Sequence, residues 1–238
     1  MRPISAAVLT MIAALALCLV APASASVISV NTVSANGDLR SPNNLTAGVV
    51  AADFWNQLAG VSGSLTNIVD DSNTVTTADF TVSTGSSGVG NNSYTPVDAF
   101  DGDTRLLNGF TSGSNSSSTN FITIVMSQIP YTVYDLYLYF DRPNTTMAIS
   151  VTGSATVYNV TNTAVGFYDN ATIDGNGNYV VFSGLTASSF TATLDATGIL
   201  RPGLNGWQIV DATVVPEPAS LGILALASLT LLARRRRV

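Results

Sequence analysis

Histidine and lysine are absent from this 238-residue chain, and glutamate and cysteine occur once each, as Glu217 and Cys18. Each absence removes a class of chemistry. Without histidine or lysine a serine nucleophile has no base, and zinc has lost its commonest ligands. Only a pair of aspartates is left to act as acid and base, and no Asp-Thr-Gly-type signature of an aspartic protease occurs. The sequence therefore predicts a protein that is not an enzyme. Cys18 falls in an N-terminal segment expected to be removed, so the mature chain has no intrachain disulfide and depends on packing and hydrogen bonds.

The chain is also poor in charge. All nine basic residues are arginine, and five of them, Arg2 and Arg234 to Arg237, lie near the two ends. The intervening residues 26–215 hold four arginines against 14 aspartates, a net of −10. A surface of that sign is unsuited to phosphate, so nucleic acid is not an expected partner, and adhesion to anionic lipid headgroups is disfavoured for the same reason.

What is present is most distinctive at the termini. Arg2 precedes the apolar stretch from Ala6 to Val20, and small residues fill 21–26. That pattern is a secretory signal peptide over residues 1–25, with cleavage expected after Ala25 and export by the general pathway. At the other end, Pro216-Glu217-Pro218 is followed by an apolar run and then by Arg234, Arg235, Arg236 and Arg237. The 15 residues from Ala219 to Ala233 make a helix of about 22 Å. That is short of a hydrocarbon core of roughly 30 Å, so the expected transmembrane helix is a marginal anchor. Four arginines resist crossing the bilayer and form a translocation stop that leaves the body outside. The two prolines keep the preceding backbone extended and open to a processing enzyme.

Motif, apolar segment and basic stop over 216–238 resemble the PEP-CTERM sorting tail of secreted bacterial proteins, with Pro216, Glu217 and Pro218 matching residue for residue. The resemblance covers about a tenth of the chain. It implies recognition by an exosortase, a membrane-embedded cysteine protease, transient residence in the inner membrane, and release to the cell surface or extracellular matrix. The alternative is a plain C-terminal anchor with incidental prolines. Six Asn-x-Ser/Thr sequons invite a eukaryotic glycoprotein with a lipid-anchor tail, but such a tail should end apolar, whereas this one ends in arginine.

Residues 26–215 suffice for one domain with a sizeable core. Eleven short runs read as strands: 27–33, 65–69, 75–82, 104–110, 121–126, 132–140, 147–151, 155–160, 179–182, 190–194 and 206–213. Several alternate cleanly: Met147, Ile149 and Val151 share one face and Ala148, Ser150 and Thr152 the other. One apolar and one wet face per strand predicts two antiparallel sheets packed face to face, an all-β sandwich of jelly-roll type. The one helical signal is 51–58, where Ala51, Phe54, Trp55 and Leu58 recur at helical spacing, and a short helix capping one end of the core is expected there. Residues 83–92 and 111–120, rich in Gly, Ser and Asn, read as loops. The segments Phe54-Trp55-Asn56-Gln57-Leu58 and Gly203-Leu204-Asn205-Gly206-Trp207-Gln208-Ile209-Val210 resemble pieces of PEP-CTERM surface proteins with galactose-binding-like sandwiches. That resemblance implies a turn at Gly203 and Gly206 and a core position for Trp207.

Two stretches of the body carry candidate binding chemistry. Asp98, Asp101 and Asp103 gather three carboxylates around a glycine, the hard-oxygen set that calcium prefers; the alternative is a solvated loop. Asp174-Gly175-Asn176-Gly177-Asn178 begins like a calcium loop, but Tyr179 and Leu185 stand where its glycine and glutamate belong, so a turn is expected instead. In 132–140, Tyr134, Leu136, Leu138 and Phe140 form the natural core face. On the opposite face, Asp135, Tyr137 and Tyr139 would make a polar-edged platform for a sugar ring if that face meets water. The alternative is that both faces are covered. Two functions follow: a non-catalytic structural or adhesive surface protein embedded in exopolysaccharide, or a carbohydrate-binding module. No cofactor is expected beyond calcium.

Overall fold

A computed structural model of the chain describes residues 25–33, 45–84, 88–91, 101–113, 121–142, 144–162, 167–196 and 201–213. The expected signal peptide, the sorting motif, the apolar tail helix and the arginine stop all lie outside them. Among the described residues, no helix is long and apolar enough to cross a membrane.

Alternation of apolar and polar side chains builds most of the body. The strands are β1 (Val27–Val33), β2 (Trp55–Ala59), β3 (Gly63–Leu65), β4 (Asp79–Thr84) and β5 (Gly88–Asn91), then, after one helix, β6 (Gly109–Ser112) and β7 (Phe121–Ser127). The order continues with β8 (Tyr134–Tyr139), β9 (Thr145–Val151), β10 (Val157–Asn162), β11 (Tyr179–Leu185), β12 (Phe190–Ala196), β13 (Gly203–Leu204) and β14 (Gly206–Asp211). They form a five-stranded sheet, β11-β8-β14-β1-β2, a six-stranded sheet, β10-β9-β12-β7-β4-β3, and a small sheet, β13-β6-β5. Strand pairs are antiparallel except β1 with β2, which run parallel.

The two large sheets bury one core between them. Ile28, Val30, Leu136, Leu138, Val180, Phe182 and Ile209 from the first meet Phe80, Val82, Ile122, Ile124, Met147, Ile149 and Leu194 from the second. Aromatic pairs bridge the gap: Trp207 meets the edge of Phe80 at 5.1 Å, and Phe182 meets Tyr158 at 5.1 Å. Trp207 is completely buried, the core position expected for it. The fold is an all-β sandwich, and Ser26–Thr213 form one compact unit.

Among the described residues, the short helix lies elsewhere than expected. It is α1 (Gly102–Asn108), N-capped by Asp101, whose side chain accepts from the Asp103 amide. Residues 51–58, read as helical, instead contain strand β2. A strand throws residues three apart to opposite faces, and here both faces are covered. Trp55 is buried on the outer side with Ala47, Leu106 and Tyr139, while Leu58 enters the inter-sheet core. Burial on both sides of a strand thus imitates helical spacing. Conversely, 104–110, read as a strand, supplies α1 and the start of β6. Gly88–Asn91, within a stretch read as a loop, pairs with β6.

Candidate functional site

The outer face of the five-stranded sheet carries the second buried cluster. Register sets it up: on β8, Tyr137 lies between Val181 of β11 and Gln208 of β14, and Tyr139 lies between Tyr179 and Gly206. Residues 45–54 fold over this face. Ala47 and Ala52 exchange backbone hydrogen bonds of 3.1 and 3.0 Å and close a tight loop. Within it Gly48 adopts φ +97°, and a Cβ there would come within 2.4 Å of the Gln208 side chain, so only glycine lets the loop sit so low. Gly102, at the start of α1, has the Thr46 carbonyl 2.3 Å from where a Cβ would be, which brings the helix hard against the same loop.

Hydrogen bonds then tie loop, helix and sheet together. Tyr139 donates to Gln208 Oε1 and accepts from the Val49 amide at 3.0 Å. Gln208 Nε2 donates to Ser29 Oγ at 3.1 Å and to the Val50 carbonyl at 2.7 Å. Tyr168 donates to Asp103 Oδ1 at 2.6 Å, and the Gly48 amide donates to both of those groups, at 2.9 Å to Asp103 Oδ1 and 2.8 Å to the Tyr168 hydroxyl. The rings crowd around Tyr139, with Tyr168 at 5.5 Å, Tyr179 at 6.0 Å and Trp55 at 6.4 Å between centroids.

Burial grades across the cluster. Tyr139 is 0 % exposed, whereas Tyr137, Tyr168 and Tyr179 are half-buried. Phe167, next to Tyr168, is 63 % exposed, and Val49 lies on the surface of the covering loop. Loss of solvent raises the hydroxyl pKa of all four tyrosines, most strongly those of Tyr139 and Tyr168. Neighbouring carboxylates push the same way: Asp135 beside Tyr137, Asp169 beside Tyr179, and Asp103 beside Tyr139 and Tyr168. The phenols therefore stay neutral donors, and the patch has a negative rim.

The candidate residues named from sequence fall into place unevenly. Tyr137 and Asp135 share the outer face, with Asp135 Oδ1 accepting from the Gly184 amide at 2.8 Å where β11 bulges. Tyr139 is not part of an open platform; loop, helix and Tyr168 cover it, so no ring can stack on it. Asp103 leaves the acidic stretch to join the tyrosines, and Asp101 is engaged in capping, accepting from Thr104 Oγ1 at 2.9 Å as well as from the Asp103 amide. Asp98 lies outside the described residues. Among the described residues, no three His, Cys, Asp or Glu side chains gather as a metal-binding group. The 174–178 stretch forms a turn, with the Gly175 amide on the Thr172 carbonyl at 3.1 Å, and Asn178 anchors both Phe167 and Asp169. Sequence reasoning missed Trp55, Tyr168, Tyr179 and Gln208. Only Tyr179 left a usable trace, since it alternates with Val180 into the same sheet.

Comparison with known proteins bears on the C-terminal tail more than on the body. The PEP-CTERM protein-sorting motif matches residues 214–237, so the tail is a sorting signal that directs export toward the cell surface or extracellular space. None of the curated proteins matches the chain. Among solved structures, it is similar to the native structure of a family 35 carbohydrate binding module from Clostridium thermocellum, at 14% identity and a TM-score of 0.32, over 55% of this chain and 90% of that one. That superposition is too slight to speak for fold or ligand.

Proposed function

We propose that this exported chain, directed outward by its PEP-CTERM tail, is cut by an exosortase near Pro216 to Pro218 and becomes a non-catalytic adhesive or structural component of the cell surface or extracellular matrix. The sorting motif at 214–237 carries this reading. Mass spectrometry of surface-extracted protein tests it. The expected product begins near Ser26 and ends near Pro216. Glu217→Ala leaves the full-length chain in the inner membrane, and deletion of Arg234 to Arg237 weakens retention before cleavage. Recovery of the 221–238 peptide still joined to the surface form would refute processing and leave the tail as a permanent anchor.

A second reading, carbohydrate binding, is favoured by one observation: the half-buried rings of Tyr137 and Tyr179 share one sheet face, with Asp135 beside Tyr137, Asp169 beside Tyr179 and exposed Phe167 next to Tyr168. Aromatic faces flanked by hydrogen-bonding groups suit a sugar ring. A glycan array decides it. Saturable binding lost in Tyr137→Ala or Tyr179→Ala supports this reading, and a blank array leaves the structural role alone.

A further inference from the structure

We propose that the outer-face tyrosine patch selects glycans carrying free amino groups, through the carboxylates of Asp135 and Asp169. This rests on the carbohydrate-binding reading and names its ligand class. Asp135 acts on Tyr137, Asp169 on Tyr179, and Asp103 on Tyr139 and Tyr168. Asp135 stands one alternation from Tyr137 on the outer face of β8, its Oδ1 steadied by the Gly184 amide. Asp169 is fixed beside Tyr179 through its backbone: its amide donates to Asn178 Oδ1 at 2.9 Å, and its carbonyl accepts from the Asn178 and Tyr179 amides at 2.9 and 3.3 Å. Asp103 is already engaged by Gly48 and Tyr168, so it adds to the negative field without offering a contact.

Arg142 stands over the Phe110 ring at 5.5 Å and donates to the Arg201 carbonyl at 2.7 Å. An ammonium group at the patch gains on two counts, from the negative faces of the tyrosine rings and from carboxylates that need not be desolvated in pairs. A uronic acid at the same place meets like charge, on a body whose net charge is −10. The patch therefore discriminates by charge and stacks by shape.

Titration calorimetry of the surface-released protein tests this with three probes: a glucosamine oligomer with its amines protonated, its fully N-acetylated counterpart, and a galacturonate oligomer. The glucosamine oligomer is expected to bind tightest and the galacturonate oligomer not at all. Asp135→Asn and Asp169→Asn each weaken glucosamine-oligomer binding about threefold, and about tenfold together, while binding of the acetylated oligomer is unmoved. Asp195→Asn, an exposed carboxylate on the other sheet, serves as the control and has no effect. A loss in Asp195→Asn equal to that in Asp135→Asn would reduce the effect to diffuse charge and overturn the inference. Equal affinity for acetylated and free-amine oligomers, or preference for galacturonate, would also overturn it while leaving carbohydrate binding intact. Absence of binding to all three, with a blank array, would remove the underlying reading itself.

Discussion

Strand β8 offers a controlled contrast, because its two faces are buried by different means. Inward, Tyr134, Leu136 and Leu138 enter a core of aliphatic and aromatic side chains, where removal from water is itself the stabilising term. Outward, Tyr139 is buried just as completely, yet its surroundings are a loop amide, a glutamine, a carboxylate and other phenols. The inner face depends on volume, and the outer face on hydrogen bonds that must all be made together. The two sides of one strand thus differ: the inner side holds the sandwich, and the outer side grades from a sealed centre at Tyr139 to the half-open rim at Tyr137 and Tyr179.

Substitutions on either side sharpen or break this contrast. The largest effect is expected from Leu136→Ala, about 2 to 5 kcal/mol of lost stability by chemical denaturation, because the inter-sheet core closes poorly over a cavity. Next is Tyr139→Phe, which keeps the ring but strips Gln208 Oε1 and the Val49 amide of a partner. About 1 to 3 kcal/mol should be lost, with earlier proteolytic cutting within 45–54. Wild-type stability in Tyr139→Phe would mean that area alone holds the outer face, and the contrast would fail.

Alkali should act on both faces. Burial raises the phenol of Tyr134, on the core side, from 10.0 to about 12, and that of Tyr131 equally. Tyr139 and Tyr168 are raised as well. A raised phenol favours the neutral form in the folded state, so its contribution is complete below about pH 10 and is lost as pH climbs through 12. Circular dichroism and tyrosinate absorbance should therefore change together in that window, and independent tyrosinate formation with the fold intact would contradict it. Tyr137→Ala, at the rim, is expected to shift stability by less than about 1 kcal/mol. The smallest effect belongs to chelation. With Asp101 capping α1 and Asp103 held by Gly48 and Tyr168, EGTA should lower the melting temperature by at most a few degrees or not at all. Collapse of the fold on chelation would make calcium structural.

Much of the inner face was legible in the linear chain. The alternation of Met147, Ile149 and Val151, or of Phe190, Ala192 and Leu194, survives as the burial pattern of β9 and β12. The outer cluster was not legible, because its members come from separate places: Gly48 and Trp55 near the front, Asp103 in a helix, Tyr168 in a loop, Gln208 in the last strand. None has a local pattern that announces the others. Trp55 misled for a physical reason, since a strand covered on both faces carries large apolar residues at spacings that a helix would also produce.

The sequence by itself determined what depends on order along the chain. The sorting tail is a matter of contiguous residues, a Pro-Glu-Pro motif followed by an apolar run and four arginines, and it needs no folded partner to be read. Strand alternation is likewise local, set by a period of two and the sign of each side chain's preference for water. Only the tertiary structure decided which carboxylate meets which phenol. Register between β8, β11 and β14 aligned Tyr137, Tyr139, Tyr179 and Gln208, and the loop closed by Ala47 and Ala52 then drew Asp103 and Tyr168 onto them. Contacts of that kind arise from strand pairing across long separations, where hydrogen-bond register and close approach at Gly48 choose the neighbours.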